Sequence, residues 1–306
     1  MLTPRIARRR GFTLVQMIST MVVFGLVAGT TVRIIVRQQR FYIGSAQMIS
    51  VRTNLRDAAG VLSTDIRGIS SVGSDIYAMS DSAIDFRLPS GLATICSIGV
   101  GRTTVVIPPV TLTSRSAVTS WTTAPVNGDT AFVYSEGAGP TTADDSWQLV
   151  ALSAAPIAGV CPTTSGFTST AGEVAASLTL TVTPALAAGV AQGSVIRFYR
   201  RAKYKLYQPT TNGAWYVGYL DCPGGTCGTL QAVAGPYLPY SATASATGLR
   251  FVYRDSTGAV TATRANVARI DITARTQTLD AVRMPGRAVD YYRDSVVVSV
   301  ALRNRS

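Results

Sequence analysis

Four cysteines, Cys96, Cys161, Cys222 and Cys227, stand in a 306-residue chain that contains no histidine. Without an imidazole there is no Ser-His-Asp or Cys-His constellation and no His-Glu-x-x-His metal motif. A zinc site would need all four thiolates, and no Cys-x-x-Cys pair supports one. Glu136 and Glu173 are the only glutamates, and both stretches read as loops. Asp144 and Asp145 are adjacent, so on a strand they would point to opposite faces. Gly99-Val100-Gly101 lacks the third glycine or the lysine of a phosphate-binding loop. These residues point away from an enzyme and give no reason to expect a cofactor or a metal.

Oxidation is the chemistry that the cysteines suit best. An even count outside the cytosol suggests disulfides, and four cysteines allow three pairings. Pro223, Gly224 and Gly225 can turn tightly enough to bring Cys222 to Cys227, and Cys96 would then pair with Cys161. Buried free thiols and a four-thiolate metal site are the competing readings.

The second chemical feature is charge. The formal net is +12, and the densest basic stretch is RFYRRAKYKLY. On an ideal strand Arg197, Arg201, Lys203 and Lys205 share one face, while Phe198, Tyr204 and Leu206 take the other and face the core. Basic residues beside aromatics can bind nucleic acid through phosphates and stacking. A solvated strand face, or contact with an acidic neighbouring subunit, is preferred over nucleic acid here.

Near the N-terminus, the stretch from Phe12 to Val32 runs twenty-one residues without a charge. A helix needs roughly 20 such residues to cross a bilayer core. Arg5, Arg8, Arg9 and Arg10 precede it and favour a cytoplasmic N-terminus, although Arg33, Arg37 and Arg40 come after it. Val27-Ala28-Gly29 could be a signal-peptidase site that removes the stretch, whereas cleavage at Gly11–Phe12 would retain it. The residues beyond Val32 favour retention. No proline occurs between Pro4 and Pro89, and Leu55, Ala59, Leu62, Ile66 and Ile69 recur at helical spacing. The reading is a basic leader at 1–11, a transmembrane helix at 12–36 (a filament-core helix as well, under the family resemblance given below), and an amphipathic helix at 37–70.

Residues 71–306 read as a β-rich head. AIDFRL, SLTLTVT, RIDITA and SVVVSVAL alternate or cluster apolar residues, and Asn212-Gly213 is a strong hairpin signal. GLRFVYRDSTGAVT reads as a second hairpin, with Leu249, Phe251 and Tyr253 on one face and a turn at Gly258. The Ser-, Thr-, Ala- and Gly-rich segment 102–183 reads as short strands with long loops and as a candidate insertion. The expected class is α+β, a long N-terminal helix packed on a β-rich C-terminal head.

Arginines, then Gly11-Phe12-Thr13-Leu14, then an uncharged helix resemble the leader of type IV pilin-like proteins. In order and character, LRFVYRDSTG, VARIDITART and the closing SVVVSVALRNRS are similar to the PilW/GspJ branch of minor pilins and pseudopilins. The resemblance covers about residues 8–70 and 195–306 and leaves the middle unassigned. It implies cleavage after Gly11 by a prepilin peptidase, and N-methylation of Phe12. Other implied partners are minor and major pilins or pseudopilins, an inner-membrane assembly platform and an assembly ATPase. The setting would be a type IV pilus or a type II secretion system, with the chain anchored once in the inner membrane and its head outside the cytoplasm. Gln16 would be the fifth mature residue, where the family usually carries a glutamate thought to pair with a neighbour's terminal amine. An uncharged residue there suits a subunit at the filament tip, active in initiation. The alternative is a membrane-anchored or secreted β-domain that binds a ligand, DNA for example, outside any filament.

Overall fold

A computed structural model describes residues 13–302 apart from 72, 115, 138, 140, 141, 212 and 284–287. Gly11 and Phe12 of the leader junction, and Asn212 of the hairpin turn, lie outside these residues. The chain is α+β at the coarse level, a long apolar N-terminal helix followed by antiparallel sheets.

The helix α1 runs unbroken over Leu14–Arg67, 54 residues. Neither proline nor a run of competing turn residues interrupts it, and the polar side chains of its apolar half find partners inside it. The Thr20 hydroxyl donates to the Gln16 carbonyl at 2.9 Å, and those of Thr30 and Thr31 donate to Val27. Hydroxyls satisfied in this way are tolerated where water is absent. Arg67 sits in the last turn, where a cation complements the helix dipole. The helix therefore stops three residues short of the expected boundary at 70.

By compactness the chain divides into Met1–Arg52 with Thr278–Arg293, and Thr53–Gln277 with Asp294–Ser306. The strands are β1 (Ile76–Met79), β2 (Ala83–Thr94), β3 (Ser97–Ile98), β4 (Thr104–Ile107), β5 (Thr119–Trp121), β6 (Thr130–Ser135), β7 (Ser146–Leu152), β8 (Ile157–Ala158), β9 (Leu178–Thr183), β10 (Val195–Tyr207), β11 (Trp215–Cys222), β12 (Gln231–Tyr237), β13 (Leu249–Arg254), β14 (Arg269–Gln277), β15 (Val282–Arg283), β16 (Val289–Asp290) and β17 (Arg293–Ala301). A short helix α2 spans Ala171–Ala175.

In the first unit, β15 and β16 pair antiparallel, Val282 opposite Asp290 and Arg283 opposite Val289. The Gln47 amide of α1 donates to the Asp280 carboxylate at 2.9 Å, and Arg52 donates to the Tyr292 hydroxyl at 3.2 Å.

In the second unit, a large sheet runs β1-β2-β10-β6-β7-β9-β4-β3, with β11 and β12 continuing from β10. β10 is its spine and pairs with β2, β6 and β11. The ladder with β2 slips between Phe198 and Tyr199, opposite Pro89 and Gly91. Pro89 has no N–H to give, so a bulge there costs the ladder little. Beyond β10, Ile196, Phe198, Val133, Val150, Leu180 and Val105 close a fully buried apolar core. β13, β14 and β17 form a separate sheet. The strands between 102 and 183 extend the large sheet through β6, β7, β9 and β4.

The stretch 248–261 departs from the expected hairpin. Leu249, Phe251 and Tyr253 are buried as a set, and Gly258 has φ +88°, which glycine adopts without strain. The return strand is a single bridge, Arg254 to Val260, and the long partner of β13 is β14. Val260 is 69% exposed, so the returning segment has no apolar face to bury.

Both expected disulfides are present, Cys96–Cys161 with Cα atoms 5.7 Å apart and Cys222–Cys227 at 3.8 Å. Cys222 ends β11, and the turn Pro223–Gly225 carries positive φ at Gly224 and Gly225. Gly128 lies so close to this turn that an added Cβ would fall 2.1 Å from Gly224 Cα. The bridges close loops with sequence separations of 65 and 5. Replacing the first pair by serines should cost about 4 kcal/mol of unfolding free energy and replacing the second about 2, because loop-closure entropy grows with loop length. Urea unfolding of the two double variants tests the order; a larger loss from the short loop would reverse it.

Candidate functional site

Two regions concentrate the features that sequence marks as functional, the helix α1 and the outward face of β10. On α1 the first half is apolar and bare. Phe24 is 75% exposed and Leu26 67%, and no charged residue occurs between Leu14 and Val32. This is the one helix among the described residues long and apolar enough to cross a membrane.

Gln16 has a local task here. Its Oε1 accepts the Thr13 N–H at 3.3 Å, while the Thr13 hydroxyl accepts the Gln16 N–H at 3.4 Å. This reciprocal pair is a capping box, Thr-x-x-Gln, which satisfies two otherwise orphaned donors at the helix start. An amide performs it without placing a charge in the apolar segment.

The second half of α1 presents a stripe to the β-domain. Leu55, Leu62, Ile66 and Ile69 are buried as expected, but Ala58 rather than Ala59 fills the position between Leu55 and Leu62. On a helix the two alanines flank the stripe on either side, and it is Ala58 that the β-domain covers. Two tyrosines reach this stretch. Tyr237 of β12 donates to the Asn54 carbonyl at 2.7 Å, and Tyr204 of β10 donates to the Asp65 carboxylate at 2.5 Å. Burial pushes the Asp65 pKa up, and the Tyr204 hydrogen bond only partly offsets it. Burial, together with Asp65, likewise pushes the Tyr204 phenol well above its usual range.

On β10 the expected alternation holds. Phe198, Tyr204 and Leu206 are buried, while Arg197 is exposed and Arg201, Lys203 and Lys205 are half-buried on the other face. The four cations are not equally available. The Arg201 guanidinium makes two hydrogen bonds to Asp85, at 2.7 and 2.8 Å, and lies over the Tyr77 ring at 4.8 Å. Arg197 covers the Trp147 ring at 4.3 Å. Lys203 and Lys205 stand opposite Leu220 and Gly218 of β11.

Arg200 is the functional-looking residue that sequence reasoning misses. It lies on the inward face, 6% exposed, and its guanidinium bonds Asp129 at 2.7 Å and Asp221 at 3.3 Å. The signal is the dipeptide Arg200-Arg201, since neighbouring strand residues face opposite sides and one arginine has to go inside with a partner. Arg87 and Asp75 form a second buried pair at 3.1 Å.

The acidic candidates are structural as well. Asp144 lies in a 3-10 turn, not on a strand, and accepts the Gly139 N–H, while Asp145 accepts from Tyr134 and Gly137. Glu173 sits in α2, not in a loop, and forms a capping box with Thr170. It also accepts the Thr113 N–H and hydroxyl and the Ser169 N–H and hydroxyl. The Thr113 bonds lead the contributions that hold its pKa down at about 2. The spacing Thr-x-x-Glu at 170–173 is the readable sign. Among the described residues no cluster of three carboxylates or thiols could hold a metal.

Comparison with protein-family models, curated proteins and solved structures returns no match.

The half-buried Asp65 and the buried Glu173 should titrate in opposite senses. Asp65 protonates more easily folded than unfolded, so its stabilising contribution is complete below its ordinary pKa of 3.8 and is lost as pH rises through the raised folded value. Asp65→Asn, which keeps an acceptor for Tyr204, should therefore raise the thermal midpoint at pH 7 and leave it nearly unchanged at pH 3. Glu173 contributes fully above 4.5 and loses that contribution as pH falls toward about 2. Glu173→Gln should lower the midpoint at pH 7 and converge with the parent in strong acid. Midpoints measured across this range decide both; a parallel shift at every pH would show that ionisation is not the cause.

Proposed function

We propose that this chain is a minor pilin or pseudopilin of the PilW/GspJ kind, a non-enzymatic assembly subunit of a type IV pilus or type II secretion pseudopilus. One observation carries the reading. A single 54-residue helix has a first part, Leu14–Val32, that is uncharged and bare and a last part, from Leu55, with one apolar stripe buried in the β-domain. Each large aliphatic side chain left in water forgoes roughly 1.5–3 kcal/mol. The first part therefore needs another environment, and two would serve in turn, a bilayer before assembly and the helices of other subunits after it. A secreted β-domain that discards its signal has no use for a helix continuous with its core.

The family resemblance supplies the processing step, cleavage between Gly11 and Phe12 with N-methylation of Phe12. It supplies the partners too: prepilin peptidase, other minor and major pilins or pseudopilins, and the inner-membrane platform. The absence of a carboxylate at Gln16 supports a place at the tip, where no subunit above offers a terminal amine. The capping box with Thr13 gives glutamine a second reason to be there.

N-terminal sequencing of protein extracted from membranes tests the proposal. Methylated phenylalanine as first residue is expected, and Gly11→Trp should leave the longer precursor in the membrane. A mature chain that begins at Thr30, or normal processing of Gly11→Trp, would replace the pilin by the secreted or anchored ligand-binding β-domain. Labelled subunits should appear in few copies at filament ends, and even labelling along the shaft would remove the tip assignment.

A further inference from the structure

Arg33, Arg37 and Arg40 succeed the uncharged stretch at steps of four and three, which places them on one face of α1. That face lines an open groove of roughly 1320 Å³ within the first unit, and Arg283 of β15 lines it from the other side. All four arginines are exposed. Elsewhere, Arg87, Arg200, Arg201, Arg254 and Arg269 each have a carboxylate at 2.5–3.1 Å. The four groove arginines have no carboxylate partner among the described residues. The one carboxylate lining the groove, Asp280, is already held by the Gln47 amide at 2.9 Å. The lining between the cations is apolar, with Val36, Phe41 and the buried Val282.

We propose that this groove binds the phosphate of an anionic phospholipid headgroup, with phosphatidylglycerol the simplest example, while the lipid's acyl chains lie along the bare helix before Arg33. Position selects a lipid over other anions. The rise from Arg33 to Arg40 is about 10 Å at 1.5 Å per residue, comparable with the several ångströms of headgroup layer beyond the hydrocarbon edge. Phe41 and Tyr42, 69% and 79% exposed, stand where interfacial aromatics collect. Guanidinium forks suit phosphate oxygens, and the long arginine stems can remain against apolar surface. Arg283 comes from a segment some 240 residues away in sequence, so the convergence is more than basic residues flanking a span. The inference needs the membrane span but not the filament.

Full-length protein in detergent, stripped of lipid, is titrated with phosphatidylglycerol or phosphatidylcholine, and bound lipid is counted by native mass spectrometry. Phosphatidylglycerol should bind about tenfold more tightly or better, given roughly 1 kcal/mol per arginine near an anionic headgroup. The triple variant Arg33→Gln, Arg37→Gln, Arg40→Gln should abolish that preference. Arg283→Gln alone, which leaves the span untouched, should weaken it about fivefold, the equivalent of 1 kcal/mol. Intact disulfides by non-reducing mass confirm that the variants are folded. Equal binding of the two lipids, a preference that survives the triple variant, or no effect of Arg283→Gln overturns the proposal. Displacement of the lipid by excess inorganic phosphate overturns it as well, in favour of a soluble anion site. None of these failures would alter the N-terminal sequencing result, so the pilin reading stands or falls separately.

Discussion

An uncharged helix that cannot rest in water is the constraint on which the rest of this molecule depends. The backbone of α1 satisfies itself, and its threonine hydroxyls return to carbonyls within the helix. What remains exposed between Leu14 and Val32 is almost wholly apolar side chain. Such a surface is stable only against hydrocarbon or other helices. The same helix then changes character without a break, and from Leu55 onward it buries one stripe and leaves charge on the other faces. The uncharged stretch and the striped one thus belong to one unbroken element of secondary structure.

Charge is partitioned along similar lines. The β-domain pairs five of its arginines, Arg87, Arg200, Arg201, Arg254 and Arg269, with its own carboxylates, and adds aromatic faces as further partners. A strongly basic composition thus overstates how much cation is offered to an outside ligand. The basic face of β10 illustrates this, because Arg201 is committed to Asp85 and Arg197 covers Trp147. Buried ion pairs of this kind add little net stability beyond an apolar substitute, but breaking one leaves a charge stranded. They make the sheet intolerant of single changes at Arg200 or Asp129.

Patterns with a strict period are legible in the sequence. The twenty-one-residue gap in charge marks the apolar helix, the alternation in β10 assigns its two faces, and the CPGGTC turn announces its own bridge. What stays hidden depends on partners distant in the chain. Nothing local distinguishes Ala58 from Ala59 until the sheet that covers one of them is known. The long partner of β13 is β14, because Val260 has nothing to bury. Segment 102–183 has weak periodicity, since its strands are short and joined by turns stabilised by side chains such as Glu173 and Asp145. Two capping boxes, at 13–16 and 170–173, and the inward arginine at 200 are readable by rule, yet only the structure brings them out.

The Cys96–Cys161 bridge has a consequence for the order of events in the life of the chain. It joins residues 65 apart, across β3 to β8, the part of the large sheet that contains its shortest strands. Thiols stay reduced in a cytosol and oxidise outside it. A chain whose thiols are still reduced must therefore hold that region by packing alone, and it gains the bridge's contribution only on oxidation. If the head is exported, as the proposed pilin reading requires, export would precede locking, and the domain would be at its most pliable before the bridge closes.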